Sequence, residues 1–289
     1  MRDYAKISAA DIAKADQKYD APVYAKSGNL YACTTSGIAA KEMDDSRYYC
    51  AYAKLSDGTI VYSDLSQYSP KEYAMSRLEK SDNEAMKALC VAMLNYGAAA
   101  QQYFGYKTDD LMNAELTDAQ KALVGEYNAD LFNGTVAADP EKIDSFFTAT
   151  ETGFERIGAT VSFEGAFALN FYFKPDCEVN DLTFYFWTND VYNTAETLDA
   201  SNASGMLDLA SNANGIYHGA ITGIAAKELD DTVYVAATYT VDGQTFCSGV
   251  IAYSLSGYCM KQANGNMGEL AQATAMYGYY AESYFSNIA

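Results

Sequence analysis

The sequence predicts an α+β protein of two related units, each an antiparallel, sandwich-like β-sheet followed by C-terminal helices. The first observation behind this prediction is a repeated passage, because residues 37–53 read GIAAKEMDDSRYYCAYA and residues 223–239 read GIAAKELDDTVYVAATY. The second is an alternation of apolar side chains around Asp-Gly pairs, which is typical of β-hairpins. The third is a helical spacing of apolar residues after each β segment.

The correspondence between the two copies continues beyond the repeated passage. It includes an Asp-Gly pair, a Tyr-Ser pair, a Tyr-Gly pair and a Tyr-Phe pair, in the same order in each copy. These pairs are Asp57-Gly58 and Asp242-Gly243, Tyr68-Ser69 and Tyr253-Ser254, Tyr96-Gly97 and Tyr277-Gly278, and Tyr103-Phe104 and Tyr284-Phe285. A repeat of this length indicates one architecture built twice.

The strands are clearest in the second copy and in the residues before it, where apolar residues alternate with a period of two. We predict strands over residues 159–173, 182–188, 216–224, 233–239 and 244–253. Gly165 predicts a bulge or a bend within the first of these strands. Asp242-Gly243 predicts a tight turn between the last two, because glycine tolerates the positive φ that such turns require.

Helices are predicted to close each copy. In the first copy, Ser69 as the N-cap, Pro70 as the first helical residue and Glu72 in the first turn predict a helix start. Apolar residues at helical spacing predict a longer helix over residues 86–104. The matching helix of the second copy is predicted over residues 267–285.

The two copies differ in what precedes them. Residues 160–222 supply the front strands of the second copy, whereas only residues 1–36 precede the first, and residues 8–18 have a helical pattern. We therefore predict three parts, the first of which lacks front strands and leaves a sheet edge to be covered. These parts are an incomplete first unit (1–106), a helical connector (107–157) and a complete second unit (158–289).

The charge of the chain excludes two classes of partner. Nineteen Lys and Arg residues stand against 38 Asp and Glu residues, which gives a net charge of −19. A nucleic-acid partner would need a basic surface, and anionic lipid would be repelled. No apolar stretch approaches the roughly 18–20 residues of a membrane span, and no leader pattern opens the sequence.

Familiar catalytic and metal-binding motifs are absent from the sequence. None of the six cysteines aligns with a cysteine in the other copy, so we expect free thiols rather than a disulfide framework. The sequence contains no CxxC pair, which argues against a structural zinc site. His218 is the only histidine, and a lone strand histidine is typically structural or exposed. Nucleotide-binding and acyl-transfer motifs are missing as well.

Paired acids occur at the same place in both copies, as Asp44-Asp45 and Asp230-Asp231. Carboxylate oxygens are the ligands that Ca²⁺ prefers, so these four residues are candidate calcium ligands. No EF-hand spacing surrounds them. The alternative interpretation is a turn between strands, in which each Asp accepts hydrogen bonds from the local backbone.

Tyrosine is the compositional outlier, with 26 Tyr against one Trp. Alternation along residues 182–188 puts Tyr185 and Trp187 on one face of the strand. If the opposite face is core, these two side chains form an exposed aromatic platform suited to stacking on a sugar ring or a protein. The alternative is that Trp187 is buried beneath another layer.

Abundant carboxylates leave a hydrolytic function open. A glycoside hydrolase needs two carboxyl groups about 5–9.5 Å apart across a cleft. Glu164 lies beside aromatic residues in a predicted strand and is the candidate that the sequence offers. The alternative is an exposed residue on the face of the strand opposite the core.

Three strings of the sequence are distinctive: KALCVAMLNYGAAAQQYFGYKTDDLMNAEL at residues 87–116, GIAAKEMDD before it and ITGIAAKELDDTVYV in the second copy. Together they resemble a repeat domain of unknown function found in large secreted and cell-surface proteins of anaerobic, Clostridiales-type Firmicutes of the gut and rumen. The second copy departs in its helix, where NYGAAAQQYF becomes MYGYYAESYF. The resemblance implies an exported, surface-associated, non-catalytic module, and it provides no binding residues to transfer.

These observations predict an extracellular accessory or adhesion module. Its partner would be a polysaccharide or a surface protein, or the module would act as a spacer. The alternative from a different class is a carboxylate-dependent glycoside hydrolase. No cofactor is expected other than Ca²⁺ at the paired acids.

Overall fold

The computed structural model describes residues 14–15, 23–24, 30–31, 33–212 and 214–288. Helices and antiparallel sheets both occur in it, so the predicted α+β class is confirmed. The helical pattern at residues 8–18 lies outside the described residues, apart from residues 14 and 15. Among the described residues, no helix has the length and apolar composition that a membrane crossing requires.

Fourteen strands and six α-helices lie in the described residues. The strands are β1 (Val23–Tyr24), β2 (Leu30–Tyr31), β3 (Arg47–Tyr49), β4 (Tyr52–Lys54), β5 (Ile60–Tyr62), β6 (Ser66–Tyr68), β7 (Phe154–Ser162), β8 (Phe167–Pro175), β9 (Leu182–Trp187), β10 (Gly205–Leu209), β11 (Tyr217–Ile224), β12 (Val233–Val241), β13 (Gln244–Cys247) and β14 (Ile251–Tyr253). The helices are α1 (Pro70–Lys80), α2 (Glu84–Phe104), α3 (Asp118–Lys121), α4 (Asn189–Thr194), α5 (Leu255–Gln262) and α6 (Gly268–Ser286).

Two sheets dominate the second copy and the residues before it. A three-stranded sheet has the order β11-β8-β7, and a five-stranded sheet has the order β10-β9-β12-β13, with β14 also pairing with β12. All pairings are antiparallel. In the first copy the ladders are short, with β3 paired to β6, β4 to β5 and β1 to β2.

The strand register is the same in both copies. Arg47 pairs with Tyr68 in the first copy, and their counterparts Val233 and Tyr253 pair in the second. The second ladder repeats in the same way, since Ala53 pairs with Val61 and Tyr239 pairs with Phe246. Repetition at the level of single hydrogen-bonded pairs shows that the sequence repeat specifies one local structure twice.

The passage from sheet to helix also repeats. Ser69 and Ser254 are the N-caps of α1 and α5, and the side-chain oxygen of each accepts a hydrogen bond from a backbone N–H three residues later. The N–H of Lys71 donates to the carbonyl of Met43 at 3.1 Å, and the N–H of Ser256 donates to that of Leu229 at 2.8 Å. These bonds tie the start of each helix to the turn that precedes β3 or β12.

The long helices α2 and α6 join the two copies. They pack directly on each other, and the rings of the equivalent residues Tyr96 and Tyr277 stack with centroids 5.5 Å apart. Gly278 lets α6 pack closely on the turn that precedes β12, because a Cβ at position 278 would lie 3.0 Å from the Cβ of Leu229 in that turn. Equivalent residues therefore meet each other, as they do at an isologous interface.

Both faces of the five-stranded sheet are buried. On one face, Val235 and Ala237 of β12 are fully buried against the three-stranded sheet. Ring contacts cross between the sheets, with Phe171 5.7 Å from Phe184. On the other face, Tyr234 and its neighbours form a second apolar cluster, which residues of the segment between the copies help to build.

One predicted strand is wrong. Residues 159–173 do not form a single strand with a bulge at Gly165, but lie within the hairpin of β7 and β8, and Gly165 is in the turn with φ +79°. Apolar residues alternate on both sides of this turn, so the sequence pattern does not show where β7 ends and β8 begins. β7 begins at Phe154, so the predicted boundary between residues 157 and 158 falls inside a strand.

The segment between the copies is mostly irregular. Its only α-helix is α3, of four residues, and the other helical turns are short 3-10 segments. The six cysteines are free; Cys90, Cys247 and Cys259 are buried, whereas Cys33 and Cys177 are exposed.

The close approach at Gly278 gives a stability prediction. Gly278→Leu should lower the free energy of unfolding by about 1–3 kcal/mol, because the added side chain must displace Leu229. The matched control is Ser283→Leu, at an exposed position of the same helix. Thermal melts followed by circular dichroism measure both, and equal melting temperatures for the two variants would contradict the tight packing of α6.

Candidate functional site

A cleft opens between β10 and β11, the edge strands of the two sheets, and has a volume of about 510 Å³. Its apolar floor consists of Leu169, Phe186, Ile221, Val233 and Leu255. Its polar rim consists of Thr188, Asn189, Asp190, Thr222, Glu228 and Asp231. We call this feature the acid-rimmed cleft.

Strand ends place the rim residues. β9 ends at Trp187, and α4 begins directly afterwards with Asn189 and Asp190 in its first turn. A 3-10 turn after β11 carries Glu228. Asp231 lies two residues before β12 begins. Two connections therefore deliver the carboxyl groups to one opening: the start of α4 carries Asp190, and the connection between β11 and β12 carries Glu228 and Asp231.

Asp231 has the most unusual environment of the three acids. Its Oδ1 accepts a hydrogen bond from the side-chain amide of Asn189 at 3.2 Å. Burial, followed by the charges of neighbouring carboxylates, raises the pKa of the Asp231 carboxyl from its ordinary 3.8 to about 6. Those carboxylates are Glu228, Glu282, Asp190 and Asp230.

The rim has no compensating positive charge within the described residues. None of Asp190, Glu228 and Asp231 forms an ion pair with a Lys or Arg there. Asp190 and Glu228 are exposed, and Asp231 is half-buried. The cleft therefore offers carboxylate oxygens to an incoming ligand above an apolar floor.

The predicted aromatic platform is wrong as to exposure. Trp187 is fully buried, and only 9% of Tyr185 is exposed. Phe147, from the segment between the copies, packs on both rings with centroids 4.9 and 5.0 Å away. The indole N–H of Trp187 donates to the carbonyl of Asp199 and to Asn202. The face expected to be open is covered because the sheet has a layer on each side.

The paired acids of the first copy are held by cations. Asp44 is 3.5 Å from the ammonium of Lys71. Asp45 accepts hydrogen bonds from the hydroxyl of Tyr106 at 2.7 Å and from Lys107 at 2.5 Å. Although burial opposes ionisation, these hydrogen bonds hold the pKa of Asp45 below its usual range.

In the second copy the two acids have separate roles. Asp230 accepts hydrogen bonds from the backbone N–H groups of Asn133 and Gly134, from the Asn133 side chain and from the hydroxyl of Ser256. It therefore fixes the intervening segment to the second copy, while Asp231 faces the cleft. Within the described ranges, no group of three or more His, Cys, Asp or Glu residues is placed to hold a metal ion.

The remaining candidates lie outside the cleft. Glu164 is in the turn between β7 and β8 and forms an ion pair with Lys41 at 2.5 Å. His218 is on the exposed face of β11, where it stacks on Tyr172 with centroids 4.9 Å apart and lies 3.1 Å from the side-chain oxygen of Asn170. Neither residue lines the acid-rimmed cleft.

Sequence reasoning missed two residues of the cleft, Asp190 and Glu228. Glu228 lies four residues after the predicted strand 216–224, and Asp190 lies two residues after the predicted strand 182–188. The signal that was available is the position of each acid directly after a predicted strand. It does not reveal that the strand ends meet.

Comparison with known proteins leaves the family open. No family model matches the chain, and no curated protein matches it. Two solved structures have some similarity, a Br derivative of BhCBM56 and a carbohydrate-binding module family 56 beta-1,3-glucan binding domain. The first is 15% identical to this chain, with a TM-score of 0.24. The match includes 37% of this chain and 97% of the BhCBM56 chain. The second is 17% identical, also with a TM-score of 0.24. The match includes 35% of this chain and 96% of the glucan-binding domain. A likeness of this size carries no argument about this chain.

The environment of Asp231 predicts a pH-dependent stability. Its carboxylate is disfavoured in the folded chain, so stability is lost as the pH rises from the ordinary value of 3.8 through about 6. Asp231→Asn should therefore melt at a higher temperature than the wild type above this window, and at the same temperature below it.

The control for this experiment is Asp181→Asn, a change at an exposed acid before β9. It should follow the wild type at every pH. If Asp231→Asn and the wild type melt together at neutral pH, the cleft does not disfavour the carboxylate.

Proposed function

We propose that this chain is a non-catalytic accessory module of an extracellular bacterial protein and that the acid-rimmed cleft binds a polysaccharide. The observation that carries the proposal is the combination, in one open cleft, of an apolar floor with three carboxylates that no cation of the described residues pairs. Ligand sites are typically apolar concavities with a few placed polar groups.

The chemistry of the rim favours a sugar. Ionised carboxylates accept hydrogen bonds only, and these are stronger than bonds between neutral groups. A pyranose supplies several hydroxyl donors together with an apolar C–H face, which matches the floor of Leu169, Phe186 and Ile221. The ligand would be a neutral polysaccharide, because a net charge of −19 disfavours an acidic one.

The extracellular setting rests on the resemblance to secreted repeat domains. The free thiols are compatible with export from an anaerobic organism, where oxidation to disulfides is not enforced. We further infer that the two copies are units of one sandwich-like architecture and that the first lacks the front strands. The repeated strand register supports this relation.

One observation favours the alternative function, a carboxylate-dependent glycoside hydrolase. Such an enzyme needs a protonated carboxyl group as general acid beside an ionised one. Asp231, whose pKa is raised to about 6, shares the cleft with Glu228 and Asp190. Glu164 has no part in this alternative, because its carboxylate is paired with Lys41 outside the cleft.

Affinity electrophoresis in gels that contain soluble neutral glucan, mannan or xylan tests the binding function. The wild type should be retarded by at least one of these polysaccharides. Asp231→Ala and Asp190→Ala should each weaken binding by about tenfold or more, since each removes a charged hydrogen-bond acceptor. Asp181→Ala, outside the cleft, should bind as the wild type does.

The same proteins distinguish a binding module from a glycoside hydrolase. Absence of retardation in every gel would contradict polysaccharide binding by the cleft. Release of reducing sugar by the wild type, lost in Asp231→Asn, would identify the chain as a hydrolase instead. Retardation that the cleft variants leave unchanged would place the binding site elsewhere.

A further inference from the structure

The two strand pairs β3-β6 and β4-β5 of the first copy carry an uncovered apolar face. Tyr49, Ala53, Val61 and Tyr68 lie on this face, because the strand pairings place them on the side that corresponds to the core side of β12. Tyr49 is 36% exposed, and Val61 and Tyr68 are each 43% exposed. We call these four residues the bare face.

The counterparts of the bare face are buried in the second copy. Val235, Tyr239 and Tyr253 belong to the main core, and Phe246 packs against it. The three-stranded sheet covers them, with Phe171 5.8 Å from Tyr253 and Phe154 5.0 Å from Tyr239. The same local structure is therefore covered by a second sheet in one copy and exposed in the other.

The surroundings of the bare face are rich in exposed apolar side chains. Among the described residues, nearly half of the exposed large apolar side chains fall within residues 48–73. Within the described ranges, β3 also has no strand partner on the side opposite β6. Some of these side chains lie on the opposite face of the strands, where Tyr48 is 60% and Ile60 is 45% exposed. Exposed apolar surface of this kind is typical of an interaction site.

Charge favours a second copy of the chain as the occupant. Residues 47–73 contain three basic and three acidic residues, whereas the whole chain has a net charge of −19. Two copies of the chain repel each other over most of their surfaces, and a neutral patch is where they can approach. Tyrosine rings also bury a large area at a low cost in side-chain entropy.

We propose that the bare face is a homodimer interface, on which the bare face of a second copy packs sheet against sheet across a two-fold axis. An isologous contact needs one self-complementary surface, which a neutral face of tyrosine, valine and alanine provides. The two sheets then cover each other as the three-stranded sheet covers β12 in the second copy. This interface is separate from the acid-rimmed cleft.

The charge argument gives the dimer a characteristic salt dependence. Added salt screens the repulsion between two chains of charge −19 and leaves the apolar contact in place. The dimer dissociation constant should therefore fall as the salt concentration rises. Association through complementary charges would weaken under the same change.

Sedimentation equilibrium of the full chain over a range of concentrations and at two salt concentrations tests the proposal. The wild type should form a dimer, and the double substitution Tyr49→Lys with Val61→Lys should raise its dissociation constant at least tenfold. The control is Met206→Lys on β10, where an apolar residue that is 58% exposed lies away from the bare face. It should dimerise as the wild type does, and far-UV circular dichroism confirms that each variant is folded.

Two results would overturn the proposal. A monomer at every concentration would mean that another part of this chain or a different protein covers the bare face. A dimer that Tyr49→Lys with Val61→Lys leaves intact would place the contact on another surface. Binding of a polysaccharide bears on neither result, so the two proposals can fail separately.

Discussion

Burial of the β12 sheet on both faces is the constraint on which the rest of this structure depends. β12 is central, since it pairs with β9 on one side and with β13 and β14 on the other. Its residues alternate between the core against the three-stranded sheet and the cluster around Trp187 and Phe147. A strand that is apolar on both faces needs two covering layers. The front strands supply one layer, and the segment between the copies contributes to the other.

The acid-rimmed cleft and the bare face are two results of this constraint. At the edge strands β10 and β11, the two layers separate and leave a cavity, and the acids that follow β9 and β11 or precede β12 rim it. In the first copy the strand pairs are the same but the covering layer is not present among the described residues, so Tyr49 and Tyr68 are exposed. The packing of α2 on α6 holds the covered and the uncovered copy together.

The sequence predicted features that depend on local chemistry. The α+β class, the N-cap at Ser69 and the turn at Asp242-Gly243 follow from residue preferences and hydrophobic period, and the structure has all three. It could not predict which face of a strand is covered, because alternation looks the same for a strand with one covering layer or two. The sequence therefore left open whether Tyr185 and Trp187 are exposed or covered by another layer, and the structure buries both. Asp190 and Glu228 were missed because the cleft is assembled from strand ends that are distant in sequence.

Hydrogen–deuterium exchange of the dilute, monomeric chain, read by mass spectrometry of peptides over β3 and β12, tests this account most directly. Backbone hydrogen bonds exchange slowly only where their surroundings resist opening. Amides of Val233–Val241 should exchange more than about a hundredfold more slowly than those of Arg47–Tyr49, although both strands have the same register. Equal protection of the two strands would show that the first copy is covered as completely as the second, and would contradict the account.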